Sequence, residues 1–155
     1  MNNYPKIVVT TSRNANPTIR ARAQQKATEW CLPYVERHDV SLANTAGDAE
    51  AMFVFDHDGL SLSANQSQLR FSLGTAALRL KSIARGDPDT LVRAGDLQTG
   101  DRVLDATLGL GRDALVAARA VGPGGNVVAV ESSWPLFTLF GEGLSLHEAG
   151  DESAV

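Results

Sequence analysis

The chain has 155 residues, 43% hydrophobic and 21% charged, with a single cysteine and a formal net charge of −4. That length suits one medium domain, or a small domain joined to part of another. The acidic total lacks the basic excess usual in nucleic-acid binders, which leaves only a local basic face for such a role. Cys31 has no partner for an internal disulfide and is expected to be a buried, inert thiol. No run reaches the ~18 apolar residues of a membrane span and the N-terminus carries no signal-like apolar core, so a cytoplasmic protein is expected.

In chain order, Ile7-Val8-Val9-Thr10-Thr11 is a β-branched run that predicts a buried strand. Asn16-Pro17 then supplies a helix cap and a proline at the first helical position. That helix is predicted to reach about Trp30, with Ile19, Ala23, Ala27 and Trp30 as its buried stripe. Residues 52–55 and 60–63 read as two short strands around Asp56-His57-Asp58-Gly59. The tetrad contains possible metal ligands, but adjacent side chains on extended backbone point apart, and Asp-Gly is a hairpin signal. No metal site is expected. A second helix is predicted over residues 73–84, with Leu73, Ala77, Leu80 and Ala84 on one face. Its basic residues Arg79, Lys81 and Arg85, with Arg70 upstream, could meet phosphate. Positions two apart on a helix diverge by about 200°, so a solvated face is the better reading.

The second part of the chain is more informative. Arg102-Val103-Leu104-Asp105 predicts a strand, Ala106-Thr107-Leu108-Gly109-Leu110-Gly111 a glycine-bearing turn, and residues 112–121 a helix stopped by Gly122-Pro123-Gly124-Gly125. Val127-Val128-Ala129-Val130 predicts a second strand, ending at Glu131. Two continuous apolar strands around a helix suggest a parallel βαβ unit with both sheet faces covered. A glycine turn after a strand fits a dinucleotide as well. Asp105 separates the readings. A carboxylate at the strand tip, ~5 Å from a phosphate charge, opposes a pyrophosphate by roughly 3 kcal/mol at an effective dielectric near 20. The same charge favours S-adenosylmethionine, which carries an ammonium and a sulfonium and no phosphate. Asp113 repeats the argument, or is simply an acid suited to a first helical turn. Glu131 stands at the spacing used to grip ribose hydroxyls.

Residues Gly100-Asp101-Arg102-Val103-Leu104-Asp105-Ala106-Thr107-Leu108-Gly109-Leu110-Gly111 resemble motif I of class I S-adenosylmethionine-dependent methyltransferases, and Gly125-Asn126-Val127-Val128-Ala129-Val130-Glu131-Ser132-Ser133 resemble their motif II. The stretch from Asp105 through Arg112-Asp113-Ala114 is similar to the small-subunit rRNA guanine-N2 methyltransferase family and a related bacterial branch. The likeness extends upstream to Thr10-Thr11-Ser12, Pro33-Tyr34-Val35 and the helix before Gly86-Asp87, and covers the chain to about Gly143. The resemblance implies S-adenosyl-L-methionine as cofactor, contacted by Arg112, Asp113, Glu131 and Ser132, with RNA as the substrate class; the strand-tip and turn residues Asp105, Gly109 and Gly111 complete the expected cofactor site.

No Asp/Asn-Pro-Pro-aromatic loop, which such enzymes use to hold an exocyclic base nitrogen, follows Glu131. Trp134-Pro135-Leu136-Phe137 instead opens a helix predicted to run to about Leu146, before a polar tail over residues 148–155. No catalytic residue is assigned. The expected fold class is α/β: a small N-terminal α/β region (1–96), then an incomplete Rossmann-like, doubly wound parallel-sheet domain (97–155). On this reading the chain is the truncated N-terminal portion of a methyltransferase, without turnover by itself. An exposed sheet edge should drive self-association. The alternatives are a non-catalytic S-adenosylmethionine-binding or interaction module, and a nicotinamide-dependent oxidoreductase, which Asp105 opposes.

Overall fold

The structure, a computed structural model, describes residues 6–152, with side chains described through residue 147. It is a mixed α/β fold, as expected, and divides into two compact units. Unit 1 comprises residues 1–71 and 142–155, and unit 2 residues 72–141.

In unit 1 the strands β1 (Ile7–Thr11), β2 (Ala51–Asp56), β3 (Gly59–Ala64) and β4 (Ser67–Arg70) form one sheet in that order. β1 and β2 are parallel; the two later pairings are antiparallel. Helix α1 (Pro17–Glu29) starts at Asn16, whose side chain accepts a hydrogen bond from the Ile19 N–H at 2.9 Å. Its small residues Ala23 and Ala27 are buried, while Ile19 and Trp30 of the expected stripe are only half-buried. Trp30 packs on Phe53 and Phe55, with ring centroids 5.0 and 6.0 Å away, which places both phenylalanines on the α1 face. The opposite face buries Val8, Met52 and Val54 against Val35, Ala49 and the short helix α2 (Leu42–Ala46). Burying both faces explains why β1 is apolar at successive positions.

The Asp56–Gly59 tetrad is a hairpin turn. Asp56 accepts from the Asp58 N–H and is held in a two-pronged ion pair by Arg70. A second hairpin at Asn65 and Gln66, both with positive φ, adds β4, which the sequence did not signal. Such turns favour Asn-Gly, and a glutamine at the second position hides them. Cys31 is exposed, contrary to expectation, because it takes φ +55° in the turn that ends α1.

Unit 2 contains α3 (Thr75–Ala84), α4 (Thr90–Ala94), β5 (Arg102–Asp105), α5 (Arg112–Val121), β6 (Asn126–Ala129) and the start of α6 (Trp134–Glu152). Its boundaries differ from the expected division at 96/97, because α3 and α4 pack on α5 and so join the βαβ unit. In α3 the buried residue is Ala76, and Ala84 of the expected face is exposed. β5 and β6 are parallel, with Val103 beside Val127 and Leu104 beside Val128. Helix α5 buries Ala114, Val116, Ala117 and Val121. The sheet is not covered on both faces as expected: Leu104 is 69% exposed and Val128 52%. Among the described residues, no helix is long and apolar enough to cross a membrane.

Phe53 is fully buried at the centre of the α1 face. Phe53→Ala should therefore destabilise the protein by about 3–5 kcal/mol, read as a lower urea midpoint at unchanged m-value.

Candidate cofactor site

The site is built where β5 and β6 end. The Asp105 carbonyl accepts from the Val130 N–H, and the Val130 carbonyl accepts from the Leu108 N–H, each at 2.9 Å, so the chain after β5 folds back over the end of β6. Glu131 completes the cross-link. One carboxylate oxygen accepts from the Gly109 N–H and the other from the Ser133 N–H, both at 2.8 Å. Those donors, with a smaller contribution from Ser132, hold its carboxyl below the usual carboxylate range. Each oxygen keeps a lone pair for a further donor. The Asp105 carboxylate accepts from the Thr107 N–H at 2.9 Å in an Asx turn, and among the described residues it has no cationic partner.

The two glycines have different roles. Gly109 has φ +54°, and a Cβ there would meet nothing within 4 Å. The backbone at Gly109 is thus open to a ligand. Gly111, φ +71°, is buried, and a Cβ there would fall 2.0 Å from the Phe140 ring. Its requirement is packing inside the protein.

Arg112 is exposed, and its guanidinium lies where a Cβ on Gly74 would come within 3.2 Å. Asp113 is paired with Arg79 at 2.5 Å. Arg79 also holds Asp89 through two hydrogen bonds of 2.8 and 2.9 Å, while Asp89 caps α4 by accepting from Leu91 N–H. Of the expected basic cluster, Arg79 is spent on Asp89 and Asp113, and Arg70, in β4, on Asp56. The expected solvated face does not hold for Arg79. Asp89-Thr90 is legible as a helix-capping pair, but no local signal shows that α3 delivers Arg79 to it.

A cleft of about 310 Å³ adjoins Asp105 and Asp113, with apolar walls that include Leu91, Leu97 and Leu104. Larger clefts of about 430 and 410 Å³ belong to unit 1 and contain none of these acids. Among the described residues no group of three His, Cys, Asp or Glu side chains is arranged to hold a metal ion.

Comparison with known proteins relates the chain to methyltransferases. It is 33% identical over 135 residues to ribosomal RNA small subunit methyltransferase J of Cellvibrio japonicus (strain Ueda107), covering 82% of the chain and 48% of that protein. It is also 33% identical over 148 residues to the uncharacterized protein YpiP of Bacillus subtilis (strain 168), covering 94% of the chain and 57% of that protein. The chain thus spans about half the length of these curated relatives. Among solved structures, TrmN from Thermus thermophilus matches 92% of the chain and 42% of its own, at 19% identity and a TM-score of 0.36. Structural likeness at that level supports no argument about the site. No protein-family profile matches the chain.

Two outcomes follow from the geometry. Arg79 holds the Asp89 carboxyl down at about 2, so the stability this pair adds is complete above the ordinary value of 3.8 and is lost as pH falls through about 2. In Arg79→Ala the Asp89 carboxyl should titrate near the ordinary value, as read by NMR of the carboxyl carbon. Gly111→Ala should destabilise unit 2 by more than about 1 kcal/mol, because it adds a positive-φ penalty to the clash with Phe140; hydrogen exchange in α5 would report it.

Proposed function

We propose that unit 2 binds S-adenosyl-L-methionine and that the chain is part of a methyltransferase acting on RNA. The observation that carries the cofactor reading is the pair of carboxylates at the carboxyl ends of β5 and β6: Asp105 without a cationic partner, and Glu131 with acceptor capacity to spare beside the open backbone of Gly109. Ligands of open α/β sheets sit at such strand ends. The residues present fit the group. Glu131 would accept from the ribose hydroxyls, with Ser132 beside it; Gly109 would let the ligand approach the backbone; and Asp105 would face the ligand's positive charge. Gly111 would support the turn by its packing. Arg112 and Asp113 are the least committed to the ligand, since Asp113 is already ion-paired with Arg79.

The cofactor supplies an electrophilic methyl group on sulfur. The contribution of this chain is positioning, by fixing the ligand's ribose and charged end relative to the strand ends. No residue is assigned to catalysis. RNA as acceptor is supported by the name of the Cellvibrio relative and by the resemblance of residues 105–114 to the rRNA guanine-N2 methyltransferase family. A cytoplasmic setting is in keeping with the single cysteine.

Self-association belongs to the same proposal. Among the described residues β5 and β6 pair only with each other, and Leu104, Val128 and Val130 present an apolar face to solvent. Such strips are usually covered in soluble proteins, and a second copy is the proposed cover.

Calorimetry should show binding of S-adenosylmethionine or S-adenosylhomocysteine and weaker or no binding of NAD; tighter NAD binding refutes the reading. Asp105→Ala should weaken adenosyl binding by roughly tenfold, the loss of one charge-assisted contact, and Glu131→Ala should also weaken it. Light scattering should give a mass above the monomer at micromolar concentration that falls in Leu104→Glu. A concentration-independent monomer would rule out association.

A further inference from the structure

At the opposite end of the sequence, unit 1 has a second set of parallel strand ends. The segment holding Tyr34 runs parallel to β1, through Val9 N–H to Pro33 carbonyl at 2.9 Å and Val35 N–H to Val9 carbonyl at 2.8 Å. β2 flanks β1 on the other side, and Ser12 N–H extends that pairing by donating to the Phe55 carbonyl at 2.7 Å. Three chain segments therefore point their carboxyl ends the same way, around the loop that leads into α1.

Two hydroxyls lie there without a hydrogen-bond partner, Thr10 Oγ1 and Ser12 Oγ, with Thr10 fully buried, whereas the buried Thr11 hydroxyl meets that of Tyr34. An unmet buried hydroxyl is unfavourable, and two so close in the chain are unusual. Register sorts them. Thr11 lies opposite Phe55 and so shares the α1 face, whereas Thr10 lies opposite Val54 on the other face, and Ser12 follows it by alternation. On the α1 side Glu36 is engaged by Arg20 and by the Tyr34 hydroxyl. Val35 packs with Val8 and Val54 on the Thr10 face, and alternation along the segment assigns Arg37 to that face too.

The charges at this end do not balance. Arg13 directly follows Ser12, and among the described residues neither Arg13 nor Arg37 is ion-paired with a carboxylate. Arg37 makes one hydrogen bond, to the Val40 carbonyl at 3.2 Å. Burial, and then the nearby Arg13, push the Arg37 guanidinium below its usual range. At the strand end that holds the unsatisfied hydroxyls, neither guanidinium has an anion among the described residues. Of the acids beside Arg37 in sequence, Glu36 is already committed and Asp39 is exposed.

We propose that the carboxyl end of β1 in unit 1 is a phosphate-binding site, in which Arg13 and Arg37 grip the phosphate oxygens and Ser12 donates to them. Guanidiniums offer paired donors matched to phosphate, and a hydroxyl donor beneath them orients the group. Seating the ligand requires the 12–16 loop and the Arg37 side chain to shift, which exposes the Ser12 hydroxyl and satisfies it. The phosphate is supplied by an RNA backbone or by a small phosphorylated molecule. The RNA source rests on the function proposed above; the site does not.

The test is an NMR titration of the isotopically labelled 155-residue chain with inorganic phosphate, a single-stranded RNA octamer, and the same octamer with uncharged methylphosphonate links. Phosphate and the RNA should shift the amide signals of residues 11–13 and 37–38, and the uncharged octamer should not. Replacing both arginines (Arg13→Ala with Arg37→Ala) should weaken charged-probe binding by about tenfold or more and lower the salt slope by about two. The doubly lysine-substituted chain should retain most of the slope, and Ser12→Ala should weaken binding with the slope unchanged. Phosphate binding without RNA binding supports the site and assigns it to a small molecule. Absence of shifts at these residues with both charged probes, equal binding of the uncharged octamer, or insensitivity to the arginine pair overturns the proposal. Adenosyl binding, measured in the same variants, should be unchanged, which keeps the failure of either proposal distinct from that of the other.

Discussion

The Glu131 carboxylate is the fastener of unit 2. It joins the end of β6 to the Gly109 N–H, while Leu108 and Val130 pair through their backbones, so the glycine-bearing turn is fixed across both strand ends. Without that cross-link the Leu108 and Gly109 N–H groups would lose their partners and the turn its anchor to the end of β6. With it, the Asp105 Asx turn, the open backbone of Gly109 and the start of α5 take fixed positions. The cross-link also depresses the Glu131 carboxyl, so the group is anionic throughout the neutral range. A carboxylate that shapes the turn and keeps acceptor capacity links fold to chemistry in one side chain.

Arg79 organises the rest of that unit. It connects α3 to the cap of α4 through Asp89 and to the first turn of α5 through Asp113. Its one positive charge is shared between two carboxylates, so Asp113 is only partly offset. Opposition to a pyrophosphate at this turn rests mainly on the strand-end acids Asp105 and Glu131. That is enough for the sign of the preference, since a single carboxylate near the turn already acts against a phosphate.

The two units apply one construction with opposite charge. In each, parallel strands end beside a helix start, where backbone donors and side chains of successive residues converge. In unit 2 that end is lined by Asp105 and Glu131; in unit 1 it has the unpaired Ser12 hydroxyl followed by Arg13, with no carboxylate paired to Arg13 or Arg37 among the described residues. The chain's net acidity conceals this difference, because a total charge says nothing about its distribution.

By itself the sequence determined the elements whose signals are local. The Asn16-Pro17 cap starts α1, the Asp-Gly turn closes the β2–β3 hairpin, and glycines bracket α5, because caps, turns and positive-φ positions depend on a few adjacent residues. Motif I and the acids at 105 and 131 were legible for the same reason. Tertiary structure alone decided what depends on distant partners. It added β4 through a turn with an atypical glutamine, and it drew α3 and α4 onto the βαβ unit. It gave Arg79 to Asp113, 34 residues away, and set the Phe140 ring against Gly111. It left one face of β5 and β6 bare, which apolar strands cannot reveal, since a continuous apolar run has the same pattern whether one face or both find a cover.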